Sequence, residues 1–222
     1  MRGKELEDYK KGLKLSKQQK NIIVGTLLGD ATLCKIKKGM KNCHIKFEQS
    51  IKNKEYIESI YEVFKDWCGT SPKIRNIKGG GANDRQSIHF RTYAHKELLF
   101  YYNQFYKEIE GKRIKVVPSL LDKWLNDEVL AYWFMDDGSK TGSGYVINTQ
   151  GFAEYEQKAM QKALGKRFSI QTSLWKDKNK YMIYIGTGSK YKFTEIIKPY
   201  MHGDFNYKLH LKKESNEKII IN

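Results

Sequence analysis

The chain contains at residues 130–138 the run LAYWFMDDG, an apolar segment that ends in two acidic residues and a glycine. Residues 22–31, IIVGTLLGDA, form a second such run with fewer aromatic residues. If both runs are helices, each places a carboxylate near its carboxyl end, where the helix dipole is negative. A negative charge in that position costs a few tenths of a kcal/mol to about 1 kcal/mol. Because the unfavourable charge occurs twice in the same setting, we infer that a cation lies against it.

The overall charge favours a polyanionic partner. Among 222 residues there are 41 Lys and Arg but only 25 Asp and Glu, a formal net charge of +16, and 40% of the residues are apolar, which is enough for a core. A membrane-surface helix would concentrate this charge, whereas here both halves of the chain are basic. Nucleic acid is therefore favoured over an anionic membrane. A lysine-rich solvated surface is the alternative.

The cysteines bear on the compartment. Cys34, Cys43 and Cys68 form neither a CxxC pair nor an even set for disulfides, which is typical of a reducing, intracellular compartment. No run reaches transmembrane length and no signal-peptide core is present, so we expect no membrane partner. His44 and His89 lack zinc-type spacing and are expected on a strand surface.

Capping signals place both apolar runs on helices. Ser16 and Gln19 have the spacing of a capping box, so a helix is predicted over 17–29. Asp127 is the predicted cap of the second helix, over 127–136.

Apolar periodicity predicts the same order of elements after each of these helices: strand, amphipathic helix, two strands and a last helix. In the first half these lie at 44–48, 57–67, 72–77, 86–92 and 95–106, with a turn-rich segment at 79–84. In the second half they lie at 145–149, 159–164, 170–176, 181–185 and 193–200. An order of six elements that occurs twice indicates an internal duplication.

Small residues predict that the two helices pack against each other. Gly25 and Gly29 lie on one helix face and leave it almost bare, which allows close approach of a neighbour. Ala131 and Met135 are the residues expected at the corresponding places of the second helix.

Side-by-side packing would bring Asp30 and Asp137 together. Two carboxylates in one cleft repel each other and raise a pKa unless a metal neutralises them. Oxygen ligands of this kind suit Mg²⁺, which also binds phosphates. The alternative is that each acid is a turn residue after a helix. The repetition, in a basic protein, favours the metal site.

The two runs resemble the paired motifs of single-chain LAGLIDADG homing endonucleases, and the resemblance extends from about Lys17 to Leu211; Ala31 stands where the motif has glycine. It implies an α+β fold of two pseudo-symmetric αββαββα halves, residues 1–111 and 112–222. Two central packed helices would join the halves, and curved antiparallel sheets would face the DNA major groove. A monomer is implied because one chain holds both motifs, and so is a long, asymmetric site on double-stranded DNA.

The resemblance also implies metal-dependent chemistry. Asp30 and Asp137 would bind Mg²⁺, with Mn²⁺ as a substitute, and the carbonyls of Gly29 and Asp136 would add ligands. Each metal set would serve one strand, and cleavage would leave 3′ overhangs and promote homing of an intron or intein. Metals that bridge the attacking and leaving oxygens neutralise charge in the transition state.

Similarity assigns Lys115 and Lys208 to the scissile phosphates, where they would orient water and stabilise charge. Both follow the last helix of their half, and a solvated or phosphate-contacting role is the alternative. Gln49 and Gln150 occupy similar places after the first predicted strand of each half. A glutamine there positions water or contacts adenine, or it caps the next turn.

Outward strand positions are the expected base contacts. By alternation these are Lys46, Arg75, His89, Arg91, Gln171, Ser173 and Lys176. The loop residues expected at phosphates are Arg85, Lys178 and Lys180. An error of one residue in register would turn such a side chain to the other face.

Three functions are compatible with these features. The leading one is a site-specific, metal-dependent DNA endonuclease. The second is an RNA maturase that helps a host intron RNA fold, with or without cleavage. The third is a DNA-binding regulator without catalysis, and the presence of both Asp30 and Asp137 favours the first over it.

Overall fold

Both halves of the chain follow the order helix, strand, strand, helix, strand, strand, helix. The computed structural model describes residues 3–35, 42–78 and 85–211, so the predicted turn at 79–84 lies outside the described residues. After a peripheral helix, α1 (Lys4–Gly12), the first half contains α2 (Lys17–Leu28), β1 (Thr32–Lys35), β2 (Cys43–Ser50), α3 (Lys54–Phe64), β3 (Lys73–Ile77), β4 (Arg85–Arg91) and α4 (Lys96–Phe105).

The second half repeats this order. It is reached through a hairpin, β5 (Tyr106–Ile109) and β6 (Lys112–Lys115), and a single turn, α5 (Leu121–Trp124). Its elements are α6 (Asp127–Asp137), β7 (Gly138–Lys140), β8 (Tyr145–Ile147), α7 (Glu154–Phe168), β9 (Thr172–Asp177), β10 (Lys180–Ile185) and α8 (Thr187–Ile197). A 3₁₀ helix at Gly203–Lys208 follows.

Each half forms one antiparallel sheet with the same strand order, β1-β2-β4-β3 and β7-β8-β10-β9. In the first sheet Phe47 is opposite Phe90, and in the second Ile147 is opposite Ile183. All four side chains are buried, so one face of each sheet contacts the core. The predicted α+β class and the αββαββα order of both halves are confirmed.

The strands that directly follow the motif helices were missing from the periodicity-based order. β7 consists only of Gly-Ser-Lys and has no apolar alternation that would predict a strand. It is a strand because it pairs with β8. β1 is also short and pairs with β2. The β5–β6 hairpin, whose residues from Lys107 to Lys115 are mostly exposed, was likewise not predicted.

The two motif helices run side by side in the same direction. Asn21 donates to the carboxylate of Glu128 at 2.6 Å near their starts. Further along, a Cβ added to Gly25 would lie 2.6 Å from the Cβ of Tyr132 and 2.6 Å from the carbonyl oxygen of Val129. The helices therefore touch through backbone at this point, as the bare glycine face predicts.

The residues that face the glycines differ from those predicted. Gly29 faces Asp136, whose Cβ would lie 2.5 Å from an added methyl group. The prediction of Ala131 and Met135 as counterparts is therefore wrong by one position. Asp30 directly follows Gly29 and Asp137 directly follows Asp136, so Asp136 rather than Met135 is in register with Gly29.

The helix starts are capped by polar side chains. The Ser16–Gln19 capping box is present, and α2 ends one residue earlier than predicted. At α6 the cap is Asn126 rather than Asp127, because the Asn126 side chain accepts from the Val129 amide at 3.0 Å. Asp127 is the first helical residue, and its negative charge interacts favourably with the positive end of the helix dipole.

An aromatic core lies behind the second motif. The ring of Phe134 packs at 5.2 Å from Tyr145 and 5.1 Å from Phe193, measured between centroids. Trp133, the residue before Phe134 in α6, is also fully buried. Within the three described ranges, none of the helices combines the length and apolar character needed to cross a bilayer.

Candidate active site

The predicted acids lie at the paired ends of the motif helices. Asp30 follows α2 and is exposed, while Asp137 is the last residue of α6 and is half-buried. Desolvation and the charge of Asp30 raise the pKa of Asp137 to about 7, even though Lys115 and Lys208 lower it. Desolvation also raises the pKa of Asp30, against the effects of Gln49 and the two lysines. The two acids and two lysines therefore share one electrostatic cluster.

Each predicted lysine contacts the end of one motif helix. Lys115, at the end of β6, donates to the carbonyl oxygen of Gly29 at 2.6 Å. Lys208 is buried and donates to the carbonyl oxygen of Met135 at 2.8 Å. Carbonyls at a helix carboxyl end attract cations, which explains both contacts. Burial lowers the pKa of each lysine, and the neighbouring acids raise it.

Asp136 is a third carboxylate in this cluster. Desolvation, followed by the charge of Asp30, raises its pKa well above the usual range. Its side chain accepts from the Asp30 amide at 3.3 Å and from the Tyr56 hydroxyl at 3.2 Å. The sequence assigned a role only to the carbonyl of Asp136. Tyr56 was missed because a buried tyrosine on an amphipathic helix is indistinguishable in sequence from a core residue.

The two predicted glutamines are not equivalent. The amide of Gln49 donates to Asp30 at 2.7 Å and to Asp136 at 3.2 Å, within the site. Gln150 instead donates to Asp177 on β9 at 3.3 Å. Gln49 lies two residues after Phe47, a buried strand residue, whereas the residue two after the buried Ile147 is Thr149. Gln150 is one position too late to reach the acids.

The donor set suits a hard divalent cation. Asp30 and Asp137 offer carboxylate oxygens, and desolvation raises the pKa of both groups although Lys115 and Lys208 lower it. No group of three or more His, Cys, Asp or Glu side chains is arranged to hold a metal among the described residues. Mg²⁺ commonly uses one or two carboxylates and completes its shell with water and phosphate. These residues therefore fit a metal shared with a phosphate ligand.

The first sheet presents a polar outward face. Lys46 is opposite Arg91, and His89 is opposite Glu48, so all four side chains lie on the side away from Phe47. Arg75 lies on the same face, and its guanidinium donates to Glu48 at 2.7 Å. Lys46 also pairs with Glu48. Glu48 is thus a central acceptor on this face, and no sequence pattern predicted its role.

Of the three basic residues predicted on loops, two lie in strands. Arg85 is the first residue of β4 and Lys180 the first of β10, so both are strand residues rather than loop residues. Lys178 does lie in the two-residue turn between β9 and β10, with φ of 54°. All three side chains are exposed.

In the second sheet Lys176 does not lie on the predicted outward face, although its side chain is exposed. Lys176 is opposite Tyr181, and Leu174 is opposite Ile183, which is fully buried. Lys176 therefore lies on the core side of the sheet, because residues two apart share a face. Ser173 lies on the outward side, as predicted, and Gln171 is exposed just before β9.

Two aromatic residues on this outward face were missed. Trp175 shares the face of Ser173 by alternation, and its ring stacks on Tyr184 at 3.7 Å between centroids. Trp175 is 41% exposed. Strict alternation from Ser173 would have selected Trp175 in place of Lys176.

The same fold occurs in a solved protein–DNA complex. The structure of the homing endonuclease I-WcaI bound to its DNA recognition sequence superposes with a TM-score of 0.83 at 32% identity. The match covers 95% of this chain and 94% of that one. The shared fold therefore includes both halves.

The chain is similar in sequence to a protein named as an endonuclease and to one named as a maturase. "Probable intron-encoded endonuclease 1" of Wickerhamomyces canadensis is 32% identical over 217 residues, 93% of this chain and 90% of that protein. "Cytochrome b mRNA maturase bI2" of Saccharomyces cerevisiae is 31% identical over 197 residues, 85% of this chain and 46% of that protein. Residues 20–193 match the family model described as LAGLIDADG DNA endonuclease. The chain belongs to the LAGLIDADG DNA endonuclease family.

Proposed function

We propose that this protein is a site-specific, divalent-metal-dependent endonuclease that cleaves both strands of DNA. The observation that supports this most strongly is the cluster of Asp30, Asp137, Lys115 and Lys208 at the joined ends of α2 and α6. Cleavage leaves 3′ overhangs and promotes homing of the intron or intein that encodes the protein. The endonuclease relative with its intron-encoded name supports the intron origin.

The acids hold the metal, Mg²⁺ or Mn²⁺. Asp30 and Asp137 are the side-chain ligands, and the carbonyls of Gly29 and Asp136 lie at the same helix ends. When bound, the divalent ions supply an activated water and neutralise charge on the transition state. Asp30 and Asp137 would have to be ionised to hold the ion.

The lysines act on the phosphate that accompanies the metal. Lys115 and Lys208 are each held by a helix-end carbonyl, so their ammonium groups remain close to the acids. There they stabilise developing negative charge and orient water. Gln49 fixes the Asp30 carboxylate through its 2.7 Å hydrogen bond.

The partner is double-stranded DNA with a long, asymmetric site. The outward face of the first sheet is charged, with Lys46, Arg75 and Arg91, whereas that of the second contains the Trp175–Tyr184 stack. Two unlike faces favour a target without two-fold symmetry. The protein acts as a monomer, because one chain supplies both motif helices.

A second function, RNA maturase activity on a host intron, is favoured by one observation. The similarity to the bI2 maturase covers 85% of this chain. Either function would operate in a reducing, intracellular compartment, which is supported by the free thiols of Cys34, Cys43 and Cys68.

The test is cleavage of a duplex that the protein selects from a randomised plasmid library. We expect double-strand cuts with Mg²⁺ and none with EDTA. Asp30→Asn and Asp137→Asn should abolish double-strand cleavage but retain binding in gel-shift assays. Asp122→Asn, a surface acid paired with Lys166, is the matched control and should cut normally.

Cutting in EDTA would contradict metal dependence, and undiminished cutting by either motif variant would remove that acid from the site. A protein that binds and promotes splicing of intron RNA but cuts no duplex would establish the maturase alternative instead.

A further inference from the structure

Asp136 belongs to the second half, but among the described residues its side chain forms hydrogen bonds only with residues of the first half. Its Oδ2 accepts from the Asp30 amide at 3.3 Å. Its Oδ1 accepts from the Tyr56 hydroxyl and from the Gln49 amide, each at 3.2 Å. Gln49 in turn donates to the Asp30 carboxylate at 2.7 Å, which closes a ring of contacts around one of the two motif acids. Both oxygens of the Asp136 side chain thus accept hydrogen bonds from the protein.

Tyr56 is itself held in place. It is 1% exposed, and its ring packs edge-on against Phe205 at 4.9 Å between centroids. Its backbone amide donates to the Asp204 carboxylate at 3.3 Å. Because both the ring and the backbone are fixed, the hydroxyl has little freedom to leave Asp136. The orientation of the Asp136 carboxylate is therefore set by packing outside the metal site.

Asp137, the other motif acid, is not held by a comparable set of hydrogen bonds among the described residues. Gly29 is the residue of the first motif in register with Asp136, and it has no side chain. Within residues 3–35, 42–78 and 85–211, no hydrogen bond reaches the carboxylate of Asp137. Thr149 occupies the place that Gln49 has in the first half, and Gln150 contacts Asp177 instead. The site is therefore asymmetric in the groups that position its acids.

We propose that the Asp136 side chain, held by Tyr56, is a positioning residue for Asp30 and Gln49 alone. The two strands of DNA then depend unequally on Asp136, and the strand served by Asp30 is the sensitive one. This inference rests on the proposed endonuclease function.

Strand-resolved cleavage tests the proposal. The substrate is the library-selected duplex, labelled on one strand or the other, with Mg²⁺. Loss of a residue that orients a metal ligand commonly reduces activity by about 10- to 100-fold, so Asp136→Ala should slow one strand by that factor. The other strand should change much less, so a nicked intermediate accumulates. Tyr56→Phe should slow cleavage of the same strand by a smaller factor. Because this variant removes only one hydroxyl, it still tests the proposal if Asp136→Ala does not fold.

The matched control is Tyr132→Phe. The rings of Tyr132 and Tyr56 lie 6.4 Å apart between centroids, and within the described part of the chain the Tyr132 hydroxyl donates to none of the three acids. It should leave the ratio of the two strand rates unchanged. A general loss of stability would slow both strands together, which distinguishes it from a positioning role.

A second measurement needs neither metal nor DNA. Hydrogen exchange followed by mass spectrometry on a peptide that contains Asp30 reports the amide bonded to Asp136. We expect faster exchange at this amide in Asp136→Ala and wild-type exchange in Tyr132→Phe.

Equal slowing of both strands in Asp136→Ala and Tyr56→Phe, or unchanged exchange at Asp30, would overturn the inference. If the wild-type protein cuts no duplex, the proposed function fails instead, and the exchange measurement still decides whether Asp136 holds Asp30.

Discussion

The carboxyl group of Asp137 is poised to titrate near neutral pH. Desolvation and the charge of Asp30 raise its pKa from an ordinary value of 3.8 to about 7. The folded chain therefore holds the proton more tightly than the unfolded chain does. By linkage, the resulting contribution to stability is complete below the unfolded pKa and is lost as pH rises through the folded pKa. The metal-free protein should lose this contribution between roughly pH 4 and pH 7.

Asp137→Asn tests this titration. Without metal, the variant should gain stability relative to the wild type as pH rises from about 4 to about 8, because asparagine has no charge to bury. Urea unfolding in EDTA at several pH values measures the difference. Added Mg²⁺ should reverse the order by stabilising only the wild type. A stability difference that stays constant with pH, or the same pH trend in Asp122→Asn, would contradict the prediction.

At the scale of the element, the contact between α2 and α6 depends on glycine. An added Cβ at Gly25 would lie within 2.6 Å of Val129 and Tyr132, and one of these atoms is backbone. The helices would have to separate, which would also move the acids at their ends.

Gly25→Ala should therefore destabilise the protein by about 1–3 kcal/mol, the usual effect of overpacking. It should also reduce cleavage. Gly188→Ala is the matched control, because Gly188 lies in α8 with open space around it. There alanine should stabilise by up to about 1 kcal/mol through helix propensity. Equal unfolding free energies of the two variants would show that the helices do not touch through Gly25.

The elements with regular apolar patterns were predictable from sequence, and those without were not. The Ser16 cap and the long helices follow from local rules that the fold obeys. β7 and the β5–β6 hairpin depend on pairing and have no periodic signal. The site shows the same division. Asp30 and Asp137 are recognisable from the repeated motif, whereas the roles of the Asp136 side chain and Tyr56 depend on a register between distant segments.

The positive charge belongs to the scale of the whole molecule. The net charge of +16 is spread over both halves, and outward faces of both sheets contain basic residues such as Arg91 and Lys180. Binding to DNA through such residues releases counterions and weakens with salt.

Arg85→Ala and Lys180→Ala, at two residues expected to contact phosphates, should each lower the slope of log affinity against log salt by about 1. Lys11→Ala is the control, because Lys11 lies on α1 and pairs with Asp8 at 2.8 Å. Gel-shift titration at several salt concentrations measures the slopes. A slope near zero for the wild type would contradict the phosphate contacts altogether.

The 3₁₀ helix at Gly203–Lys208 connects the second half to the first, since Phe205 packs on Tyr56 and Lys208 contacts the end of α6. A polypeptide whose translation stops before residue 203 lacks both contacts, although it already contains both acidic motifs. Under the proposed function, such an unfinished product would have an incomplete cutting centre.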